Sequence, residues 1–449
     1  MVFFHLSFPD IRLWDEGTNA DVVASSLEAR SFPALSTHEG PFFEKPPLWY
    51  YTVEGLVALR GYDPVSLRLP AAVAGFVLIL LVGAATARFH SWPASAIAVL
   101  FLLACGQLFV FKPNGIFATH HARSADGDLV QIVFMFGAFL AFGAAAEGRR
   151  AGLYTGAVLT GLAVLTKGPL GFLPAIVFAL HRAIATPRAL LRARDLVGAG
   201  LSLGAVVAPW HAYMVARFGR KFVDEYALYA LVHRVADTLE GHGSAWNSYF
   251  LLLKDRAVCC SAEILAAACV VPFLDRPRLR EYRVAAPLLS VLIVMATISL
   301  MQTKLAWYVL PVYPYAAVLV GGLFDACRMW AAGTTLWPVR ALAAASALAI
   351  AGVVTAYAGR DARDIALVKR GWMQTFFEGA DARCHGSLAY ADERLPGDLL
   401  YLLRKHRVAL GPPGEATCFI GWREDDLPNG VQGVYRRVEV KGHLSLWMR

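Results

Sequence analysis

Two carboxylates, Asp15 and Glu16, stand side by side in DEGTNADV (15–22), and a second charged stretch, FEKPPLWYY (43–51), sets Glu44 and Lys45 before two prolines and an aromatic run. A carboxylate in such a place can take a proton from a hydroxyl or an amine. Asp15 is the first candidate for that work, with Glu16 and Asp128 behind it. Lys45, Arg123, Lys167, Arg234 and Lys304 are the cations that could together hold an anionic headgroup. Trp49, Tyr50, Tyr51, Trp307 and Tyr308 could stack on a sugar or lie along a lipid. A cationic pocket, a carboxylate base and a lipid-accessible rim suit group transfer from a lipid-borne phosphate. Each feature also has a plain structural reading: acids favour helix starts, lysines snorkel beside apolar helices, and interfacial aromatics form belts.

The elements that must position these residues are membrane helices. The chain of 449 residues is 57% hydrophobic and only 17% charged, against about 25% charged in an ordinary soluble domain. Apolar runs near the roughly 20 residues that cross a bilayer fall at about 66–88, 92–111, 128–146, 153–166, 169–185, 196–216, 249–273, 284–301, 305–325 and 338–357. The expected fold is therefore all-α and multi-pass, with about 10–11 spans. Lys254, Asp255 and Arg256 interrupt the seventh run, so that helix either begins after them or turns them to a cavity. VVASSLEA (22–29) and LWYYTVEGLVAL (48–59) read as amphipathic helices lying outside the bilayer.

Basic loops at 147–152, 181–195 and 275–283, with Arg328 and Arg340, fall on one side of these runs, which should be the cytoplasm. The formal charge of +8 thus follows from topology rather than from nucleic-acid binding. Residues 1–62, 112–127, 166–169, 217–248, 302–304 and the tail from about 358 fall on the other side, together with the candidate site residues. The chain starts on that outer side with no span ahead of it, which points to a first span upstream of Met1. The organisation expected is a transmembrane domain over 1–358, with its first outer loop at 15–62, and a small α/β domain over 359–449. Cys384 and Cys418 lie in that tail, where an oxidising compartment would allow them to pair.

Four segments in order resemble the bacterial relatives of protein O-mannosyltransferases and of the aminoarabinose lipid A transferase, which are integral-membrane glycosyltransferases of the GT-C fold, ArnT-like and of glycosyltransferase family 39. They are DE at 15–16; FEKPPLWYY at 43–51 with SLRLPAA at 66–72; ARSADGDLV at 122–130 with GLAVLTKGP at 161–169; and TKLAWYVLPVYP at 303–314. APWHAY at 208–213 and EGHG at 240–243 add weaker support. The resemblance implies that Asp15 is the base, that Lys45 contacts the donor phosphate, that Arg123 and Asp128 (or Asp126) belong to the site, and that Lys304 and Tyr308 touch the donor. It also implies that Glu44 can sit beside a divalent ion. The chain departs from the family after DE, where Thr18 and Asn19 replace an Arg-Tyr pair.

The activity expected is transfer of a sugar from a polyprenyl-phosphate donor, with inversion, to a lipid A, glycolipid, glycan or protein hydroxyl at the periplasmic face of the inner membrane. No cofactor is required in this reading, and a divalent metal ion is at most an aid, with Glu44 and His233 as ligands. His120, His121, His233 and His242 lack the compact spacing of a zinc site and read as surface or hydrogen-bonded histidines. The competing readings are a transporter or flippase for lipid-linked sugars, which should carry inverted repeats and mid-membrane charge, and a non-catalytic envelope assembly protein.

Overall fold

The computed structural model describes residues 2–7, 11, 15–110, 118–185, 192–239, 241–274, 279–366, 372–384, 388–390, 397–406, 408–410, 416–421, 436–441 and 444–448. Among these, six helices are long and apolar enough to cross a membrane: Pro64–Phe89, Asp128–Ala146, Ala193–Phe218, Tyr282–Leu300, Ala306–Gly333 (its first turns 3-10) and Trp337–Ala366. The shorter apolar helices Trp92–Leu103 and Pro169–Ala185 and the helix Arg150–Lys167 complete the bundle. The run at 249–273 is two short helices, Ser248–Lys254 and Ala262–Val270. Asp255 ends the first by accepting the Ala257 N–H at 2.8 Å, which leaves Lys254, Asp255 and Arg256 exposed at the turn.

Three outer elements precede the bundle. Helix α1 is Asp15–Ala29. A two-stranded hairpin, β1 (Leu35–Thr37) with β2 (Gly40–Phe42), follows. Helix α2, Leu48–Arg60, starts directly after Pro46-Pro47, where a missing N–H costs nothing. Helix α3 is the first long apolar one, Pro64–Phe89; Asp63 caps it by accepting the Ser66 N–H at 2.6 Å. Helices thus stand where 22–29 and 48–59 were expected to form them, the first beginning earlier.

One helical hairpin explains how distant charges meet. Asp128–Ala146 and Arg150–Lys167 run antiparallel around a short turn. The first residue of one and the last residue of the other therefore share an end. The two helices approach closely at Gly152 and Gly156: a Cβ on Gly152 would stand 2.4 Å from the Ala141 carbonyl oxygen, and one on Gly156 2.6 Å from the Phe142 ring. Asp128 at a helix start and Lys167 at a helix end both complement the helix dipoles.

The tail forms a five-stranded mixed sheet in the order β4-β3-β5-β7-β6, with β3 Leu388–Tyr390, β4 Ala409–Leu410, β5 Cys418–Gly421, β6 Arg436–Lys441 and β7 Leu444–Met448. β3 lies parallel to β4 and β5, while β7 is antiparallel to β5 and β6. Cys384 and Cys418 form a disulfide that ties the helix Trp372–Cys384 to β5. The apolar core of this sheet is continuous with that of α1 and α2: Val22, Val23, Trp49 and Tyr50 share a cluster with Phe376, Tyr401, Leu402 and Ile420. Arg404 of the helix Gly397–Lys405 donates to Asp21 of α1 at 2.8 Å.

Candidate active site

Four outer segments converge on Asp15, the first residue of α1. Lys45, in the turn before α2, donates to its Oδ1. His120 Nε2 lies 3.0 Å from its Oδ2. The other ring nitrogen of His120 lies 2.7 Å from Asp128 Oδ2, and Lys167 Nζ lies 2.5 Å from that same oxygen. A chain of alternating charge results, running Lys45, Asp15, His120, Asp128, Lys167. Burial alone would raise the pKa of Asp15, but Lys45 and His120 outweigh it and hold the carboxyl well below the usual carboxylate range.

His120 has carboxylate oxygens at both ring nitrogens, so the doubly protonated imidazolium satisfies both with N–H donors. Burial opposes that charge, and so does Lys167, but Asp126, Asp128 and Asp15 prevail and lift the His120 pKa to about 9. The ring is buried and stacked on Trp307, with centroids 3.9 Å apart and planes 16° from parallel. Its backbone is left-handed, φ +63°, and its N–H donates to Asp126 Oδ2 at 2.9 Å. His121, next in sequence, behaves differently. Its Nδ1 accepts the Arg123 N–H at 3.1 Å within the loop, and burial, with Arg123 beside it, drives its pKa well down.

Asn19, one turn along α1 from Asp15, knits the cluster together. Its amide donates to Ala125 O at 2.8 Å and to Asp126 Oδ1 at 3.0 Å, while its Oδ1 accepts from Tyr50 at 2.6 Å and from Lys45 at 3.3 Å. This is one of the two positions where the chain departs from the family pattern. A small cleft lies beside the cluster, lined by Asn19, Lys45, Trp49, Tyr50, Asp126, Gly127, Thr166 and Lys167.

Glu16 points elsewhere. It forms a bidentate pair with Arg68 of SLRLPAA, at 2.7 and 2.8 Å, and also accepts the Ala125 N–H at 2.8 Å. Both side chains are at most 2% exposed, whereas that of Asp15 is 27% exposed. Arg123 Nε donates to Phe4 O at 3.0 Å, and its buried Nη1 has no hydrogen-bond partner among the described residues. Burial and the neighbouring Arg68 lower its pKa to about 10.

Among the described contacts, those of Lys304 and His233 lie apart from the Asp15 chain. Lys304 donates to Ser299 O at 3.0 Å and to Met301 O, at the end of the helix Tyr282–Leu300. Tyr308 packs against the bundle core. Arg234 begins the short helix Arg234–Ala236, and its side chain lies outside the described residues. Glu44 is exposed, and His233 Nδ1 lies 2.7 Å from Asp237 Oδ2.

Among the described residues, Asp15, His120 and Asp126 have ligand atoms within 4.8 Å of one another, close enough to share a cation. Carboxylates and an imidazole suit a divalent ion. Here, however, Asp15 already holds Lys45, and His120 would have to give up a proton that its carboxylate neighbours retain. Asp15 pairs with Lys45, and Asp128 with His120 and Lys167, while burial pushes the Asp126 carboxyl up. The places an ion would take beside Asp15 and His120 are thus already held by these groups.

Sequence reasoning gave Arg68 and Asn19 no role and treated His120 as an ordinary hydrogen-bonded histidine. The available signal was HHARSADGD (120–128) itself, because a loop that buries two histidines and two aspartates must pair them.

Residues 44–213 match the family described as dolichyl-phosphate-mannose-protein mannosyltransferase. No curated protein sequence matches the chain. Among solved structures, ArnT from Cupriavidus metallidurans is similar both bound to undecaprenyl phosphate (TM-score 0.71, 15% identity) and in the apo state (TM-score 0.72, 16% identity), each over 99% of this chain and 95% of that one. The Archaeoglobus fulgidus oligosaccharyltransferase tethered with an acceptor peptide is similar at TM-score 0.56 and 12% identity, over 92% of this chain and 62% of that one. The chain therefore has the GT-C fold of integral-membrane glycosyltransferases. Its arrangement is similar to that of ArnT over nearly the whole chain, and it carries a small C-terminal sheet domain.

Proposed function

We propose that the protein is an inner-membrane glycosyltransferase that moves a sugar from a polyprenyl-phosphate carrier to an acceptor hydroxyl at the periplasmic face. The observation that carries this reading is the Asp15–Lys45 pair, partly open to solvent beside a cleft lined by lysines, on a fold whose solved relative was captured with undecaprenyl phosphate. Asp15 takes the proton of the acceptor hydroxyl as its oxygen attacks the anomeric carbon. The bond from that carbon to the phosphate oxygen breaks, and polyprenyl phosphate leaves with the electron pair. Lys45 stabilises the departing phosphate, and Arg123 is assigned to the same phosphate from the sequence resemblance. Attack from the face opposite the phosphate inverts the anomeric centre. Asp128 and Glu16 are held in ion pairs and serve as anchors in this scheme. Lys304, Tyr308 and Arg234 would meet the donor only along its carrier.

The test uses the purified protein in lipid vesicles, supplied with polyprenyl-phosphate sugars and a lipid extract. Release of free polyprenyl phosphate is expected, with the sugar recovered on an acceptor in inverted configuration. Movement of intact donor between leaflets without release would replace this reading with a transporter.

A further inference from the structure

We propose that His120 is the positioning residue of this site, an imidazolium bridge that fixes the Asp15 carboxylate by one N–H while anchoring itself through the other on Asp128. This inference rests on Asp15 being the base.

The geometry carries it in three ways. First, Asp15 sits at the end of α1 and is 27% exposed, so its carboxylate needs outside partners to hold one orientation. Lys45 supplies one, but on a flexible stem. The His120 ring supplies the other on a rigid plane, 3.0 Å from Oδ2. Second, the ring itself is held on every side: Asp128 at 2.7 Å, the Trp307 indole stacked at 3.9 Å, and its own backbone N–H on Asp126 at 2.9 Å. Third, those partners come from different parts of the chain. Asp128 is braced by Lys167 across the helical hairpin, and Trp307 belongs to the late outer segment. His120 thus connects the first, second and late outer segments at the carboxylate proposed to react. Lys167, 3.3 Å from Nδ1, is a like charge there and donates to Asp128 instead.

A positioning role makes a specific prediction about side-chain shape. Glutamine can place its amide N–H near Nε2 and keep the bond to Asp15. Asparagine reaches only the Nδ1 position, toward Asp128. Misplacing a reacting group by about 1 Å costs up to about 100-fold.

The experiment compares wild type, His120→Ala, His120→Asn and His120→Gln in the vesicle assay, with kcat and donor KM measured separately and thermal unfolding followed in detergent. The expected result is a kcat lower by about 30- to 100-fold in the Ala and Asn variants, with donor KM within about threefold and Gln restoring kcat to within about fivefold of wild type. Wild-type kcat in His120→Ala would overturn the proposal. So would equal loss in Gln and Asn, which would leave His120 a packing residue only. If Ala does not fold, the Gln and Asn pair alone decides. Asp15→Asn, run alongside, separates the two claims: an active Asp15→Asn removes the base and with it this role, while an inactive one beside an unaffected His120 series removes only the bridge.

Discussion

Asp15 and Glu16 are neighbours in sequence, and each pairs with a cation from a later segment, yet they build two different regions. Around Glu16 everything is closed: Arg68 grips both oxygens, the Ala125 N–H takes a further bond, and neither side chain sees solvent. Around Asp15 the pairing is as dense, but the carboxylate stays partly exposed beside a cleft. The first region joins α1, α3 and the 118–128 loop into one body. The second is what that body holds in place. Charge pairing is common to both regions; what differs is saturation and access, and the proposed function assigns the base to the accessible carboxylate.

The largest effect that would sharpen this contrast is in the anchor. Glu16→Gln leaves the Arg68 guanidinium buried with half its partner gone, which should cost about 3–5 kcal/mol of stability and be read as a fall in the unfolding midpoint in detergent. A midpoint equal to wild type would break the distinction. Next comes Lys45→Met, which removes a charge-assisted bond worth about 1.5–3 kcal/mol. The reading expects it as weaker donor binding by about tenfold or more, with the fold intact.

The pH dependence is a smaller and more graded test. His120 has its pKa raised to about 9 against about 6.5 when unfolded. Its contribution to stability is therefore fully present below about 6.5 and is lost as pH rises through about 9. The unfolding midpoint of wild type should fall over that window, and less so in His120→Gln. Asp15, whose pKa is depressed, contributes in the opposite sense: stabilisation present above about 4, the unfolded value, lost only as pH falls through its lower folded pKa. The smallest effect is Lys304→Gln. Its amine engages the carbonyls at a helix end, so turnover should change by less than about threefold, a difference of about 0.6 kcal/mol.

Much of the scaffold was legible because membrane insertion writes itself in composition. Long apolar runs gave the bundle, and the aromatic run at 48–59 gave a helix that begins directly after Pro46-Pro47. Asp15 and Lys45 were each legible as candidates, because ionisable groups are costly beside apolar helices unless paired or solvated, but their pairing with each other was not. The role of His120 was not, since nothing in HHARSADGD says which histidine a left-handed backbone at φ +63° will turn toward Asp15. Arg68 was hidden inside an apolar helix start, and its partner could be found only in three dimensions. The contact of Lys304 with the carbonyls of Ser299 and Met301 was not legible either, because sequence order cannot show a lysine folding back onto its neighbouring helix. The break at 255–261 follows the charges that made that run ambiguous, and the Cys384–Cys418 pair formed where the tail left it possible.

The most direct test of the central claim is the ratio of Asp15→Asn to wild type in release of polyprenyl phosphate, measured in vesicles with donor binding determined separately. The account predicts a loss of about 100- to 10,000-fold in turnover, with donor binding and unfolding midpoint kept. Equal turnover in the two proteins would contradict it and leave Asp15 as one more ion-paired anchor.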